Sequence, residues 1–225
     1  MTIQAFIFDL DGVLTDTAEY HYRAWKALAD ELALPFTRAE NEKLRGISRR
    51  ESLQLLLKGR QYPEEQIQQM MRRKNELYLE FIHCVSPDDL LPGAANLLAE
   101  IRAAGLKSAL GSASKNAPLV LERLGITSLL DVVADGSSVE RQKPAPDLFL
   151  YVAAQLGLPP AECVVVEDAA AGIEAARLGG FRTIGLGPRE RVGGAEVLCS
   201  SLAEVHLADW LKRLNSYSDK FNPVK

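Results

Sequence analysis

The chain has 225 residues, of which 47% are hydrophobic and 25% charged, enough for one large globular domain or a core with an insertion and too apolar for disorder. A net charge of −4 and a pI near 5.5 exclude a general attraction to nucleic acid or anionic membrane, and no basic cluster is interleaved with aromatics. An anionic ligand would need local cations. Cys84, Cys163 and Cys199 are widely spaced and mostly in apolar surroundings, which predicts buried free thiols in a reducing compartment and no zinc site. The start MTIQAFIFDLDG lacks the basic residues of a signal peptide, and no apolar run approaches the roughly 20 residues that cross a bilayer. A cytoplasmic monomer is the expectation.

The first predicted strand, Ala5–Phe8, breaks off at FDLDGVLTDT. Asp11-Gly12 alone could be a hairpin turn, which leaves Asp9 unexplained. If the strand continues briefly, its two-residue period points Asp9 and Asp11 toward the same side. Two carboxylates about 4 Å apart repel by roughly 4 kcal/mol at an effective dielectric of about 20. A bound cation, or a proton kept on one member for acid catalysis, would offset that repulsion.

From about Asp16 to Val85 no strand is evident, but four helical patterns are: Ala18 to Leu32, Arg38 to Leu44, Arg49 to Leu57 and Glu64 to Ile82. Capping boxes open two of them, Thr37 with Glu40 and Ser48 with Glu51. This predicts a helical insertion, residues 16–87, within a core made of residues 1–15 and 88–225. Further apolar runs, Lys107 to Leu110, Val132 to Ala134, Cys163 to Val166 and Thr183 to Leu186, alternate with helical patterns at Ala94 to Ala104, Ala117 to Leu124, Asp147 to Leu156 and Ala169 to Leu178. Gly105, Gly125, Gly157 and Gly179 stand as C-caps. Such alternation predicts an α/β fold with a doubly wound parallel sheet. The tail after Gly187 shows less regularity, and its SYSDKFNPVK end is expected to be loosely held.

Each major strand candidate runs into polar groups. The second meets Gly111-Ser112-Ala113-Ser114-Lys115-Asn116, where Ser114 or Asn116 can cap the next helix and the free N–H groups can also bind an anion. Lys143 follows the third strand. Glu167 and Asp168 end the fourth; Asp168 alone would be an N-cap, but with Asp9 and Asp11 the pair completes an acidic cluster at one edge of the sheet. Hard oxygen ligands of this kind favour Mg²⁺.

The order DxD, Ser, Lys, Glu-Asp resembles the haloacid dehalogenase superfamily of phosphotransferases over Phe6 to Gly187, and the insertion corresponds to that family's cap domain. The resemblance implies that Asp9 is the nucleophile, that Asp11 is the general acid and base, and that Ser112 and Lys143 hold the phosphoryl oxygens. It places Mg²⁺ on the carboxylates of Asp9 and Asp168, the backbone carbonyl of Asp11, and Glu167 directly or through water. Ala169 stands where many relatives have serine.

Within the superfamily, DLDGVLTDTAEYHYRAWKAL, LRGISRRES, RRKNELY, SASKN, KPAPDLF and VVVEDAAAGIEAA are similar to the sugar-phosphate mutases. That similarity implies interconversion of β-D-glucose 1-phosphate and β-D-glucose 6-phosphate, with β-glucose 1,6-bisphosphate as the activating intermediate. A mutase needs a second anion site. Gly46, Ile47, Arg49 and Ser52 are its expected residues, with Arg45 and Arg50 clustered beside Arg49. Thr17 and His21 would orient Asp11; Trp25, Lys74 and Asn75 would face the sugar from the cap, and Ser114, Lys115 and Asn116 from the core. Small sugar phosphates are the expected partners. A sugar-phosphate phosphatase on the same scaffold is the alternative enzyme, and a phosphoaspartate signalling module would have no use for the lid.

Overall fold

The protein is described by a computed structural model covering residues 2–203 and 205–221. Six parallel strands form one sheet in the order β3-β2-β1-β4-β5-β6. They are β1 (Ala5–Phe8), β2 (Lys107–Gly111), β3 (Val132–Ala134), β4 (Cys163–Glu167), β5 (Arg182–Leu186) and β6 (Val197–Cys199). Phe6 and Phe8 join the apolar cluster on one face, while Ala5 and Ile7 join the cluster on the other. Burial of both faces is why AFIF and CVVV are continuous apolar runs.

Strand order reverses beside β1: the chain leaves it for β2 on one side and returns through β4 on the other. Such a switch point opens a crevice at the carboxyl ends of the strands. Asp9 and Glu167 stand at the ends of these two strands.

Between β1 and β2 the chain forms α1 (Ala18–Glu31), α2 (Arg38–Asn41), α3 (Arg49–Leu57) and α4 (Glu64–Ile82). Both expected capping boxes are formed. The Arg38 to Leu44 pattern divides into α2 and a 3₁₀ turn, Glu42–Leu44. Trp25, Leu28, Leu53 and Tyr78 bury into the same apolar cluster as Phe6 and Phe8, so the helical insertion packs onto the sheet region through shared core. The same connection ends in α5 (Ala94–Ala103), and the crossovers that follow carry α6 (Ala117–Leu124), α7 (Asp147–Leu156) and α8 (Ala170–Leu178). Gly105, Gly125 and Gly157 are left-handed, whereas at the end of α8 Gly179 remains right-handed and Gly180 takes the positive φ.

The segment after Gly187 is more ordered than its sequence suggests. It forms α9 (Arg189–Val192), the edge strand β6 and α10 (Leu207–Phe221). Trp210 and Leu214 are fully buried, and the Trp210 ring lies against Phe6 with centroids 5.9 Å apart. The helix carries the first part of the SYSDKFNPVK stretch; residues 222–225 lie outside the described residues. The thiols are free, but only Cys163 is buried; Cys84 is exposed and Cys199 partly so, which corrects their common assignment to the interior. Among the described residues no helix is long and apolar enough to cross a membrane.

Candidate active site

Asp9 extends β1 by one residue, its N–H donating to the Val166 carbonyl at 3.0 Å. Its buried carboxylate accepts from Lys143 Nζ at 2.7 Å, and Lys143 also donates to Glu167 Oε1 at 2.6 Å. Burial drives the Asp9 carboxyl well above the ordinary range, Glu167 and Asp11 add to the rise, and Lys143 opposes it. Burial works to lower the Lys143 ammonium, yet Asp9 and Glu167 outweigh it and keep this group charged. Glu167 is fixed from its other oxygen by the Ala169 N–H at 2.8 Å. Lys143 therefore neutralises two carboxylates that would otherwise repel.

Asp9, Glu167 and Asp168 each offer an oxygen, all within 4.8 Å of one another. Burial and Glu167 push the Asp168 carboxyl up to about 7, against the pull of Arg45 and Arg191. Three buried carboxylates, two of them sharing the Lys143 ammonium, form an oxygen-only donor set, which fits a hard divalent cation such as Mg²⁺. Gly12 is required beside them. Its φ is +81°, and a Cβ there would come within 2.3 Å of Asp168 Oδ2.

The Asp11 carboxylate lies outside this set. Thr17 donates its hydroxyl to Asp11 Oδ1, and His21 Nε2 lies 3.7 Å from Oδ2. Lys74 Nζ is 2.8 Å from His21 Nδ1. An amine donating there leaves Nδ1 as acceptor and the Nε2 proton directed at Asp11. Burial and Lys74 lower the imidazole pKa, favouring this neutral form. Lys74 is itself buried, with Nζ 5.0 Å from the Trp25 ring centre and 4.5 Å from that of Tyr78. Its pKa falls well below that of an ordinary lysine through burial and the charge of Arg49.

Ser112, after β2, donates its N–H to Ala134 at 3.1 Å and accepts the Ser114 N–H on its hydroxyl at 3.1 Å. Ser114 Oγ in turn accepts the Asn116 N–H at 3.3 Å. Asn116 holds the N-cap position of α6 without a side-chain cap bond, and Ala169, not Asp168, holds that of α8.

A cavity of about 650 Å³ lies between these strand ends and the insertion. Asp9, Asp11, Ser112, Ser114, Lys115 and Asp168 line it from one side; His21, Trp25, Gly46, Ile47, Arg49, Ser52 and Lys74 line it from the other. Thr17, Lys143 and Glu167 are buried beside it, and the partly exposed Asn75 and Asn116 bond to each other across it. The three arginines also diverge: Arg50 pairs with Glu64, Arg45 reaches Asp168, and Arg49 donates to the neutral Asn75 Oδ1 at 2.7 Å. Gly46 brings the loop close to the sheet, since a Cβ there would meet the Ala169 methyl at 2.8 Å. Arg191 also reaches Asp168 and pairs with Glu42; no sequence motif marks either residue.

An open parallel sheet, a buried Asp-Lys-Glu-Asp cluster at its switch point and a helical insertion over that point define a phosphotransferase scaffold. The chain belongs to the haloacid dehalogenase-like hydrolase family, which matches residues 3–180. It is 41% identical to the β-phosphoglucomutase of Bacillus subtilis over 91% of this chain and 92% of that one. A phosphorylated carbohydrates phosphatase of Thermotoga maritima is 28% identical over 81% of this chain and 84% of its own. Among solved structures, the β-phosphoglucomutase of Clostridium difficile superposes with a TM-score of 0.93 at 38% identity, covering 96% of this chain and 99% of that one.

Proposed function

We propose that the chain is a mutase that interconverts β-D-glucose 1-phosphate and β-D-glucose 6-phosphate. The observation that carries this reading is Arg49: among the described residues it has no carboxylate partner, yet it lines the same cavity as the strand-end cluster. A guanidinium kept free of anions at one pole and a nucleophile at the other suit a substrate with two phosphates.

In this reading Asp9 attacks phosphorus and becomes an aspartyl phosphate. Asp11, held by Thr17 and His21, returns a proton to the leaving oxygen and removes one from the incoming sugar hydroxyl. Lys143 and Ser112 steady the phosphoryl oxygens. Mg²⁺, held by Asp9, Glu167, Asp168 and the Asp11 carbonyl, supplies charge neutralisation at those oxygens when bound. The bisphosphate turns around between transfers, its idle phosphate on Arg49, with Lys115 and the Ser114 region on the sheet side. Residues 16–87 act as the lid that keeps water from the aspartyl phosphate, over a core of residues 1–15 and 88–225.

A chase experiment tests this reading. Enzyme phosphorylated on Asp9 by labelled β-glucose 1,6-bisphosphate is diluted into buffer with or without β-glucose 1-phosphate. A mutase loses its label slowly to water and rapidly to the sugar. Equal losses, all to inorganic phosphate, would establish the phosphatase instead.

A further inference from the structure

Asp168 carries two guanidinium groups on one oxygen. Arg45 Nη1 lies 3.0 Å from Asp168 Oδ2, and Arg191 Nη2 lies 3.6 Å from the same atom. The two arginines come from different parts of the chain, Arg45 from the helical insertion and Arg191 from α9, after β5. Glu42 joins them, its Oε2 lying 2.9 Å from Arg45 Nε and 3.8 Å from Arg191 Nη1.

Arg191 is built into place. Its Nε is buried without a hydrogen-bond partner, and its guanidinium rests over Gly187, where a Cβ would come within 2.5 Å of Nη2. Arg45 is anchored differently: it precedes Gly46, on the loop that also carries Arg49 to the cavity. One arm thus belongs to the core and the other to the insertion.

We propose that Arg45 and Arg191 form a clamp that competes with the divalent cation for Asp168, and that Arg45 is the arm the cation displaces. The inference rests on the reading of Asp9, Glu167 and Asp168 as a cation site. Two guanidiniums saturate the charge of the carboxylate they share, so a cation arriving at Oδ2 meets positive charge rather than a free anion. Glu42 weakens the clamp by dividing the attention of both arginines. Cation loading and the contact of the Arg45 loop with the sheet are then alternatives for one oxygen.

Mn²⁺ binding to the full chain without substrate, followed by electron paramagnetic resonance and checked with Mg²⁺ by calorimetry, tests the clamp. Arg45→Met and Arg191→Met are expected to bind the ion about tenfold more tightly than the unaltered chain. Glu42→Gln, on an exposed side chain and with both arms intact, is expected to bind it several-fold more weakly. Unchanged or weaker affinity in Arg45→Met would overturn the clamp, because the arginines would then support the ligand rather than compete for it. Asp168→Asn separates this failure from that of the underlying reading. If it leaves affinity unaltered, the cation site itself is misplaced.

Discussion

Asn116, ahead of α6, donates its side-chain N–H to Asn75 Oδ1 on α4 at 2.9 Å, joining the sheet side of the site to the insertion. The same oxygen accepts from Arg49 at 2.7 Å. One neutral acceptor thus serves two donors, and an anion between them would serve both better. Arg49→Ala is expected to reduce kcat/KM for isomerisation by roughly 10- to 100-fold, from the loss of a charge-assisted hydrogen bond. Phosphate release to water should fall much less. Steady-state rates of both products from one reaction check this.

Lys143→Met would leave Asp9 and Glu167 buried without their shared ammonium. Breaking a buried ion pair from one side costs about 3 to 5 kcal/mol. The expected result is a marked fall in the urea midpoint, partly recovered by millimolar Mg²⁺, which offers the stranded carboxylates another cation. Activity should stay low even where the fold is restored.

Lys74 makes a prediction about protons. Its folded pKa lies below that of the unfolded chain, so the unfolded chain binds the extra proton between the two values. Stability should therefore rise with pH across that window, up to the ordinary lysine value of about 10.4. An anion entering the cavity favours the charged amine and should draw a proton in. Calorimetry of phosphate-ligand binding in buffers of different ionisation enthalpy should show net proton uptake, lost in Lys74→Met.

The sheet was legible because strands buried on both faces leave short apolar runs, and Gly125 and Gly157 mark where two helices stop. β6 is no shorter than β3, but it follows only the four-residue α9, so no strand-helix alternation marks it. The spacing Leu207, Trp210, Leu211, Leu214 does hold the signal of α10, but His206 gives no strong cap and the polar end masked it. At the site, Asp9, Ser112 and Asp168 announce themselves by standing just past strand ends, whereas Lys143 lies in a loop well beyond β3 and gains meaning only beside the other motifs. The divergence of Arg45, Arg49 and Arg50 does not, since it depends on Glu64 and Asp168 arriving from elsewhere in the chain. Arg191 lies 23 residues beyond Asp168, and only the end of β5 brings it there.

The buried indole of Trp210 on Phe6 makes α10 part of the core. Trp210→Ala should cost about 3 to 5 kcal/mol of stability. The rate per folded molecule should be unaffected at low temperature, since the cavity is lined without this helix. Denaturant titration beside an active-site count separates the two effects.

The most direct test supplies Mg²⁺, β-glucose 1-phosphate and a trace of β-glucose 1,6-bisphosphate, and follows glucose 6-phosphate and inorganic phosphate together, with the α anomer as control. A sugar acceptor steadied by Arg49 predicts glucose 6-phosphate from the β anomer alone, with little free phosphate. Free phosphate released from either anomer without isomerisation would contradict it and make water the acceptor.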